Sequence, residues 1–349
     1  MRRIRPSAND AARRRPFRVA AMMLCAVVLT AGAGGCSADR SAEARAIGNA
    51  VRALPGVAAA DVAYRSGASF RLDVTLAETA SQTQAAAVGS TFVDRMRAGD
   101  FGGFDVILNV AYPANSSRAT KTSDSHASFQ YHFRSAPENA ASNPNPSSAE
   151  VASSLALWLQ TAQSPATVGA TVHQEALPGT NSRRSIVVSI SSSVDDEAIA
   201  ELIDAHPELR DATWKSSVPP GAARREFRVY RIHGQFPDRE RRELWQQILE
   251  RLGPDDDGDA VTDPAGAQAS GALTNVKIDL WAKPNTNERV EGITRAVVPL
   301  LPGLGSPVRV NIFSYTESVE LILGGCSQPS PNHRPSALEA ELRRQYERC

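Results

Sequence analysis

Residues 70–76 read FRLDVTL and alternate between apolar and polar side chains. Because successive side chains of a strand point to opposite faces of a sheet, this period of two predicts a strand with one buried and one solvated face. The next residues change period: Val88, Phe92 and Met96 recur at helical spacing and predict a helix over about 81–97. Alternation returns at 104–112 and predicts another strand. The stretch therefore indicates a protein of mixed helices and strands.

The same order of elements continues along the chain. Helices are predicted to start near 41, 148 and 237, which are 107 and 89 residues apart, and strands follow each of them. The unequal spacing indicates a structural recurrence with little sequence identity. We predict an α+β fold of two or three tandem modules, each of helix–strand–strand–helix–strand–strand order, with the helices packed on one face of antiparallel sheets.

Stretches that are poor in apolar residues set the predicted boundaries. The modules are expected at 41–134, 148–234 and 235–326. A linker is predicted at 135–147, a disordered insertion at 253–272 in the third module, and a C-terminal tail with a helix at 327–349.

The N-terminus differs from the rest of the chain. The whole chain of 349 residues has 38 basic and 38 acidic side chains, but residues 1–35 hold seven arginines and one acid, which leaves 31 basic and 37 acidic side chains. An uncharged run over 19–30 follows the arginines, and small residues precede Cys36. The uncharged run has 12 residues, too few to span a bilayer of about 30 Å. Residues 1–35 are therefore predicted to be an export signal.

The sequence Ala33-Gly34-Gly35-Cys36 resembles the lipobox of bacterial lipoproteins, although that family usually has Leu where this chain has Ala33. The resemblance implies that the thiol of Cys36 carries lipid, with acyl chains such as palmitate, and that 36–40 is a lipid-anchored N-terminus on the outer face of the cytoplasmic membrane. A plain secretory signal is the alternative. Arg14-Arg15 is similar to a twin-arginine signal, so the export route stays open. Four lysines against 34 arginines are typical of a GC-rich, actinobacterial genome.

Two further cysteines lie near the C-terminus. If Cys25 leaves with the signal and Cys36 is acylated, Cys326 and Cys349 are the remaining thiols. Outside the cytoplasm such a pair is expected to oxidise. We predict a structural disulfide that fastens the C-terminal helix to the last strand.

The segment Leu54-Pro55-Gly56-Val57, followed by two strands, a helix and a strand, resembles a BON-type module. The likeness covers about 41–112 and, more faintly, 148–218. It implies a small envelope domain whose family members associate with membranes or phospholipid.

Motifs for catalysis are absent from the sequence. It has no Gly-x-Ser-x-Gly, no His-Glu-x-x-His, no phosphate-binding Gly-x-x-x-x-Gly-Lys and no Cys-x-x-Cys. The acidic run 255–259 could bind calcium but lacks the spacing of an EF-hand loop, so a solvated linker is predicted there. His126 and His132 flank an aromatic strand. His132 shares its face with Gln130 and is expected to be exposed, with metal ligation as the alternative. The arginines of 224–225 and 239–242 could meet anionic headgroups, although a charged helix face is favoured for the second group.

These features predict an exported, membrane-anchored lipoprotein that acts by binding in the cell envelope. Its expected partners are the membrane, through Cys36, and an envelope protein, lipid or polysaccharide. Nucleic acid is not expected, because the chain has no basic surplus. No cofactor, metal or catalytic residue is predicted. The alternative is an extracytoplasmic hydrolase that acts on cell-wall or lipid substrates; converging carboxylates or a Ser–His pair in a cleft would favour it.

Overall fold

The structure is a computed structural model that describes residues 39–99, 101, 103–113, 127–134, 147–176, 183–217, 228–266, 272–327 and 334–349. The predicted export signal, Cys36, His126, Arg224–Arg225 and residues 135–146 of the predicted linker lie outside these residues. The helices described are α1 Ser41–Arg52, α2 Gln82–Ala98, α3 Ser148–Gln163, α4 Asp196–Ala205, α5 Arg239–Arg251, α6 Asn287–Val297 and α7 Ala337–Tyr346. Short 3₁₀ helices, Pro207–Asp211 and Val298–Leu304, follow α4 and α6.

Twelve strands are described, two after each of the first six helices. They are β1 Val57–Arg65, β2 Ser69–Leu76, β3 Asp105–Tyr112, β4 Ala127–Arg134, β5 Gly169–Ala176, β6 Arg183–Ser191, β7 Thr213–Ser217, β8 Arg228–His233, β9 Asp257–Thr262, β10 Thr274–Leu280, β11 Val308–Ser314 and β12 Ser318–Leu323. The prediction of an α+β protein is confirmed.

All twelve strands join one sheet in chain order. β1–β2 is antiparallel, β2–β3 is parallel, and this alternation continues to β11–β12. Parallel neighbours are the pairs with a helix between them, because the helix returns the chain to the end of the sheet where the previous strand began. The predicted tandem modules with antiparallel sheets are therefore not confirmed, because the described strands form one continuous sheet of mixed direction.

The strand register places the apolar side chains on one face. Phe70 lies opposite Val106, and Val106 lies opposite Phe133 in the next strand. All three are at most 6% exposed. The helices add their buried apolar side chains, such as Ile47 and Phe92, to the same layer. We call the opposite side of the sheet, which carries mostly polar side chains, the open face.

The apolar layer divides into two clusters between β7 and β8. The first runs from Ala44 to Trp214, and the second from Tyr230 to Leu342. The first cluster ends at Trp214 and the second begins at Tyr230, so the division does not coincide with the module boundaries predicted at 134 and 234. The second cluster therefore begins at the last strand of the predicted second module.

Arg242 of α5 links the elements beside this division. Its side chain is 1% exposed and pairs with Asp196 of α4 at 2.6 Å. The guanidinium also donates to the carbonyl oxygens of Ser192, Val194 and Pro237, at 2.8–3.2 Å. The charged helix face predicted for 239–242 is thus wrong for Arg242, which is buried because several carbonyl oxygens accept its hydrogen bonds.

Strand β9 lies within the predicted disordered insertion. Its inward positions are the small residues Gly258, Ala260 and Thr262, all buried. A Cβ on Gly258 would lie 3.1 Å from Leu249 and 3.3 Å from Trp245. The large side chains of α5 therefore fill the layer above β9. This explains why a sequence without large apolar residues forms a strand here.

Helix α7 closes the β12 edge of the sheet. The backbone N–H groups of Glu320 and Ile322 donate to the carboxylates of Glu339 and Glu347, and Gly324 N donates to Tyr346 O. The predicted disulfide between Cys326 and Cys349 is present, with 2.15 Å between the sulfurs. Side-chain and backbone acceptors from the C-terminus thus take up donors that an edge strand leaves unpaired.

The substitution Arg242→Met should lower the free energy of unfolding by about 3 kcal/mol, because buried carbonyl oxygens lose their hydrogen-bond donors. Arg239→Met is the matched control: Arg239 is exposed on the same helix, and its loss should change stability by less than about 0.5 kcal/mol. Urea denaturation followed by circular dichroism measures both. Equal effects of the two variants would show that Arg242 does not stabilise the α4–α5 contact.

Candidate functional site

The open face contains a cavity of about 380 Å³ over strands β1–β5. Carboxylates, amides and an imidazole line it, from Asp61, Asp73, Asn109, Gln130 and His173. This volume lies at the lower end of the range of ligand pockets, about 300–1,000 Å³. The concentration of polar groups in one cavity makes it the candidate functional site.

The register brings these five side chains into one row. Asp61 lies opposite Asp73, Asp73 opposite Asn109, Asn109 opposite Gln130, and Gln130 opposite His173. Each occupies an outward position of its strand, so the row crosses five neighbouring strands at intervals of about 4.8 Å. Residues that are 12 to 43 positions apart in sequence thus form one surface.

Hydrogen bonds hold the middle of the row in place. Asn109 Nδ2 donates to Asp73 Oδ1 at 2.7 Å, and Gln130 Nε2 donates to Asn109 Oδ1 at 2.9 Å. Arg71 Nε donates to the other carboxylate oxygen of Asp73 at 2.9 Å. These bonds fix the amide orientations before any ligand arrives, which lowers the entropic cost of binding.

Asp61 is the exception in this row. It is exposed and lies directly opposite Asp73, an arrangement of like charges that does not favour folding. Arg71 compensates the charge of Asp73, whereas no hydrogen bond or ion pair to Asp61 occurs among the described residues. One carboxylate in the cavity is therefore available to a ligand.

Two histidines lie on this half of the open face. Nε2 of His132 is 2.5 Å from Asp105 Oδ1, and Nε2 of His173 is 3.4 Å from Glu175 Oε1. His132, which was predicted to be exposed, has 25% of its side-chain surface accessible and is therefore only partly exposed. Ser128 and Thr171 also line the cavity, but in the described part of the chain neither hydroxyl is hydrogen-bonded to His173. The contacts described there do not form the nucleophile–base pair of a hydrolase.

A hydroxyl–imidazole contact does occur elsewhere on the open face. Thr213 Oγ1 lies 2.7 Å from His233 Nδ1 across β7 and β8. A catalytic triad needs a third group on the second imidazole nitrogen. Within the described ranges, no carboxylate contacts that nitrogen.

Within the acidic run 255–259, Asp256 has a structural role. Asp256 is fully buried and accepts from Gly253 N at 2.7 Å, from Ala282 N at 2.9 Å and from Arg289. The solvated linker predicted here is wrong for Asp256, because these donors offset the cost of burying its carboxylate. No group of three or more His, Cys, Asp or Glu side chains that could hold a metal ion is found among the described residues.

The other half of the open face carries mixed charges. Arg231 Nη1 lies 3.1 Å from Asp259 Oδ2 across β8 and β9, and Lys277 lies opposite Asp259 on β10. Burial raises the pKa of the Asp259 carboxyl, while the positive charge of Arg231 opposes that shift. This region holds an internal ion pair.

An exposed aromatic pair lies beyond β10 and β11. Trp281 is 36% exposed and Tyr315 is 77% exposed, with ring centroids 5.0 Å apart. Ser314 Oγ accepts from the backbone N–H groups of Thr316 and Glu317 and so fixes the turn that carries Tyr315. The pair is a small apolar contact surface without an enclosing cavity.

The sequence-predicted site residues do not line the cavity. Cys36 lies outside the described residues, and Cys326 and Cys349 are joined at the far end of the sheet. Sequence alternation placed Asp73 outward and Gln130 on the face of His132, but it did not identify Asp61, Asn109 or His173. The only available signal was their outward position in strands; the register that joins them is not encoded in any single segment.

No helix among the described residues has both the length and the apolar composition needed to cross a membrane. Comparisons of the chain with protein-family models, with characterised proteins and with solved structures give no match.

The Asp259 carboxyl should make stability depend on pH. Because its pKa is raised in the folded state, ionisation costs the folded chain more than the unfolded chain, and the free energy of unfolding should fall as the pH rises from about 4 through that pKa. Asp259→Asn cannot ionise and should remove this fall. Urea denaturation between pH 4 and pH 7 measures the slope. Asp61→Asn, on the same face, should retain it; an unchanged slope in Asp259→Asn would contradict the assignment.

Proposed function

We propose that this protein is an exported, membrane-anchored lipoprotein that binds a component of the cell envelope through the open face of its sheet. The signal-like segment 1–35 and the lipobox-like residues before Cys36 support the anchor. The cavity over β1–β5 supports the binding role. The three tandem modules predicted from the sequence would, in this proposal, act as one binding surface because their strands share a sheet.

The row of bonded polar side chains carries the proposal. Ordering polar side chains on a solvated strand face costs side-chain entropy. Here Asp73, Asn109 and Gln130 bind one another in a fixed order inside a cavity. Such side chains present donors and acceptors at set positions, which favours selective binding.

Catalysis places a different demand on a site. A general base or nucleophile must have its reactive atom free to meet the substrate. In this row the carboxylate oxygens of Asp73 accept hydrogen bonds from Arg71 and Asn109. Asp61 has a free carboxylate, but no hydroxyl or imidazole is hydrogen-bonded to it among the described residues. The site therefore supports recognition better than bond cleavage.

Lipidation at Cys36 can be tested by substitution. In the source organism, the native chain should fractionate with membranes, and Cys36→Ser should move to the soluble fraction because it lacks the acyl chains that hold it in the bilayer. Cys25→Ser is the matched control and should stay with the membranes. Membrane retention of Cys36→Ser would contradict the anchor.

Binding through the open face can be tested by capture. The full chain carrying Cys36→Ser, immobilised and incubated with total envelope extract, should enrich one protein, lipid or polysaccharide class, identified by mass spectrometry and sugar analysis. Adding Gln130→Ala should reduce the captured amount about tenfold, because one fixed donor–acceptor group leaves the row.

Asn311→Ala is the matched control for this capture, since Asn311 lies on the open face in β11, away from the cavity. It should not change what is captured. Equal capture by the Gln130→Ala and Asn311→Ala chains would place binding elsewhere, and no enrichment by any chain would contradict the binding role.

A further inference from the structure

We infer that the cavity on the open face binds an uncharged, hydroxyl-rich glycan segment. The inference rests on the proposed function, because it names the ligand class of the same site. Three properties of the cavity support it: its charge, the small size of the apolar groups that face it, and the hydrogen-bonding groups that its residues leave over.

The charge of the cavity disfavours an anionic ligand. Its described lining contains the carboxylates of Asp61 and Asp73 and no lysine or arginine. Arg71, beside the cavity, already donates to Asp73. A phosphate or carboxylate group would therefore meet the Asp61 charge in a cavity whose described lining has no lysine or arginine. This disfavours an anionic lipid headgroup as the ligand of these residues.

The apolar groups on the cavity side of the sheet are small: the side chain of Ala111 and the methyl groups of Thr75 and Thr171. Val74, Val110 and Phe129 contribute to its lining, yet their side chains are at most 2% exposed and belong to the buried layer on the other face. Only their backbone atoms border the cavity, because side chains alternate along each strand. An acyl chain or an apolar helix would bury the polar row here and gain contact only with these small groups, whereas the C–H groups of a sugar ring match them in size.

The remaining hydrogen-bonding groups require a ligand that both donates and accepts. After the bonds within the row, Asn109 and Gln130 each keep one amide N–H, Gln130 keeps its carbonyl oxygen, and Asp61 keeps both carboxylate oxygens. A hydroxyl group can donate to Asp61 or Gln130 and accept from either amide. An ammonium group only donates, so it would satisfy Asp61 and leave both amide N–H groups without acceptors.

Direct titration tests this ligand class. The full chain carrying Cys36→Ser is titrated calorimetrically with three probes: neutral oligosaccharides released from the source organism's envelope, oligolysine, and vesicles of anionic phospholipid. We expect binding of a neutral oligosaccharide, with an affinity that does not change between low and high salt, because no net charge is paired.

The variants locate that binding. Gln130→Ala should weaken the oligosaccharide affinity about tenfold, the effect of losing one or two hydrogen bonds to the ligand. Asn311→Ala should leave it unchanged within about twofold. Asp61→Asn keeps a side-chain oxygen that can accept a hydrogen bond from a hydroxyl group. It should weaken the affinity by less than Gln130→Ala does, because a neutral ligand does not require the charge of Asp61. Circular dichroism of each variant checks that it is folded.

Three results would overturn the inference. Salt-dependent binding of oligolysine that Asp61→Asn abolishes would assign a cationic ligand, and vesicle binding that Gln130→Ala abolishes would assign a lipid. Failure of every probe, with envelope capture through the open face still observed, would reject the glycan while leaving the binding function intact. Failure of both titration and capture would reject the proposed function as well.

Discussion

The register between neighbouring strands is the constraint on which the rest of this structure depends. Each strand pairs with the next so that apolar residues face apolar residues, as Phe70 faces Val106 and Val276 faces Val310. Because side chains alternate, a slip of one residue in any pair would move the apolar side chains of that strand to the polar face. Such a slip would expose several apolar side chains at once and so lose the free energy of their burial. The helices can all pack on one side only because this agreement holds across twelve strands.

The described helices cover one face of the sheet, and the candidate site lies on the opposite face. The same register that aligns the buried residues also aligns Asp61, Asp73, Asn109, Gln130 and His173 in one row. The apolar layer and the polar row are therefore two results of one pairing pattern. The division of the apolar layer between β7 and β8 lies outside the row, and Arg242 ties together the helices next to that division. The site is thus supported entirely by the first cluster.

Sequence patterns predicted elements well where the apolar side chains are large. The strand at 70–76 and the helix that follows were evident from their periods, and so was the cysteine pair from the expected compartment. Strand β9 was not, because Gly258 and Ala260 face the bulk of Trp245 and Leu249, and small residues give no alternation that can be seen in sequence. The continuous sheet was not predicted either, since pairing partners depend on where each helix returns the chain. For the same reason, the outward position of Asp73 was predictable, whereas its contact with Asn109 was not.

The contacts of helix α7 have a consequence for how large such a sheet can become. A chain built by adding a helix and two strands at a time offers, after every addition, a fresh row of backbone donors and acceptors that could take one more strand from this chain or from another molecule. The carboxylates of Glu339 and Glu347 and the carbonyl of Tyr346 occupy donors of the last strand, and Arg343 donates to Glu320 O. The C-terminal segment thus occupies the outer edge of β12 and leaves fewer backbone groups there for a strand of another molecule.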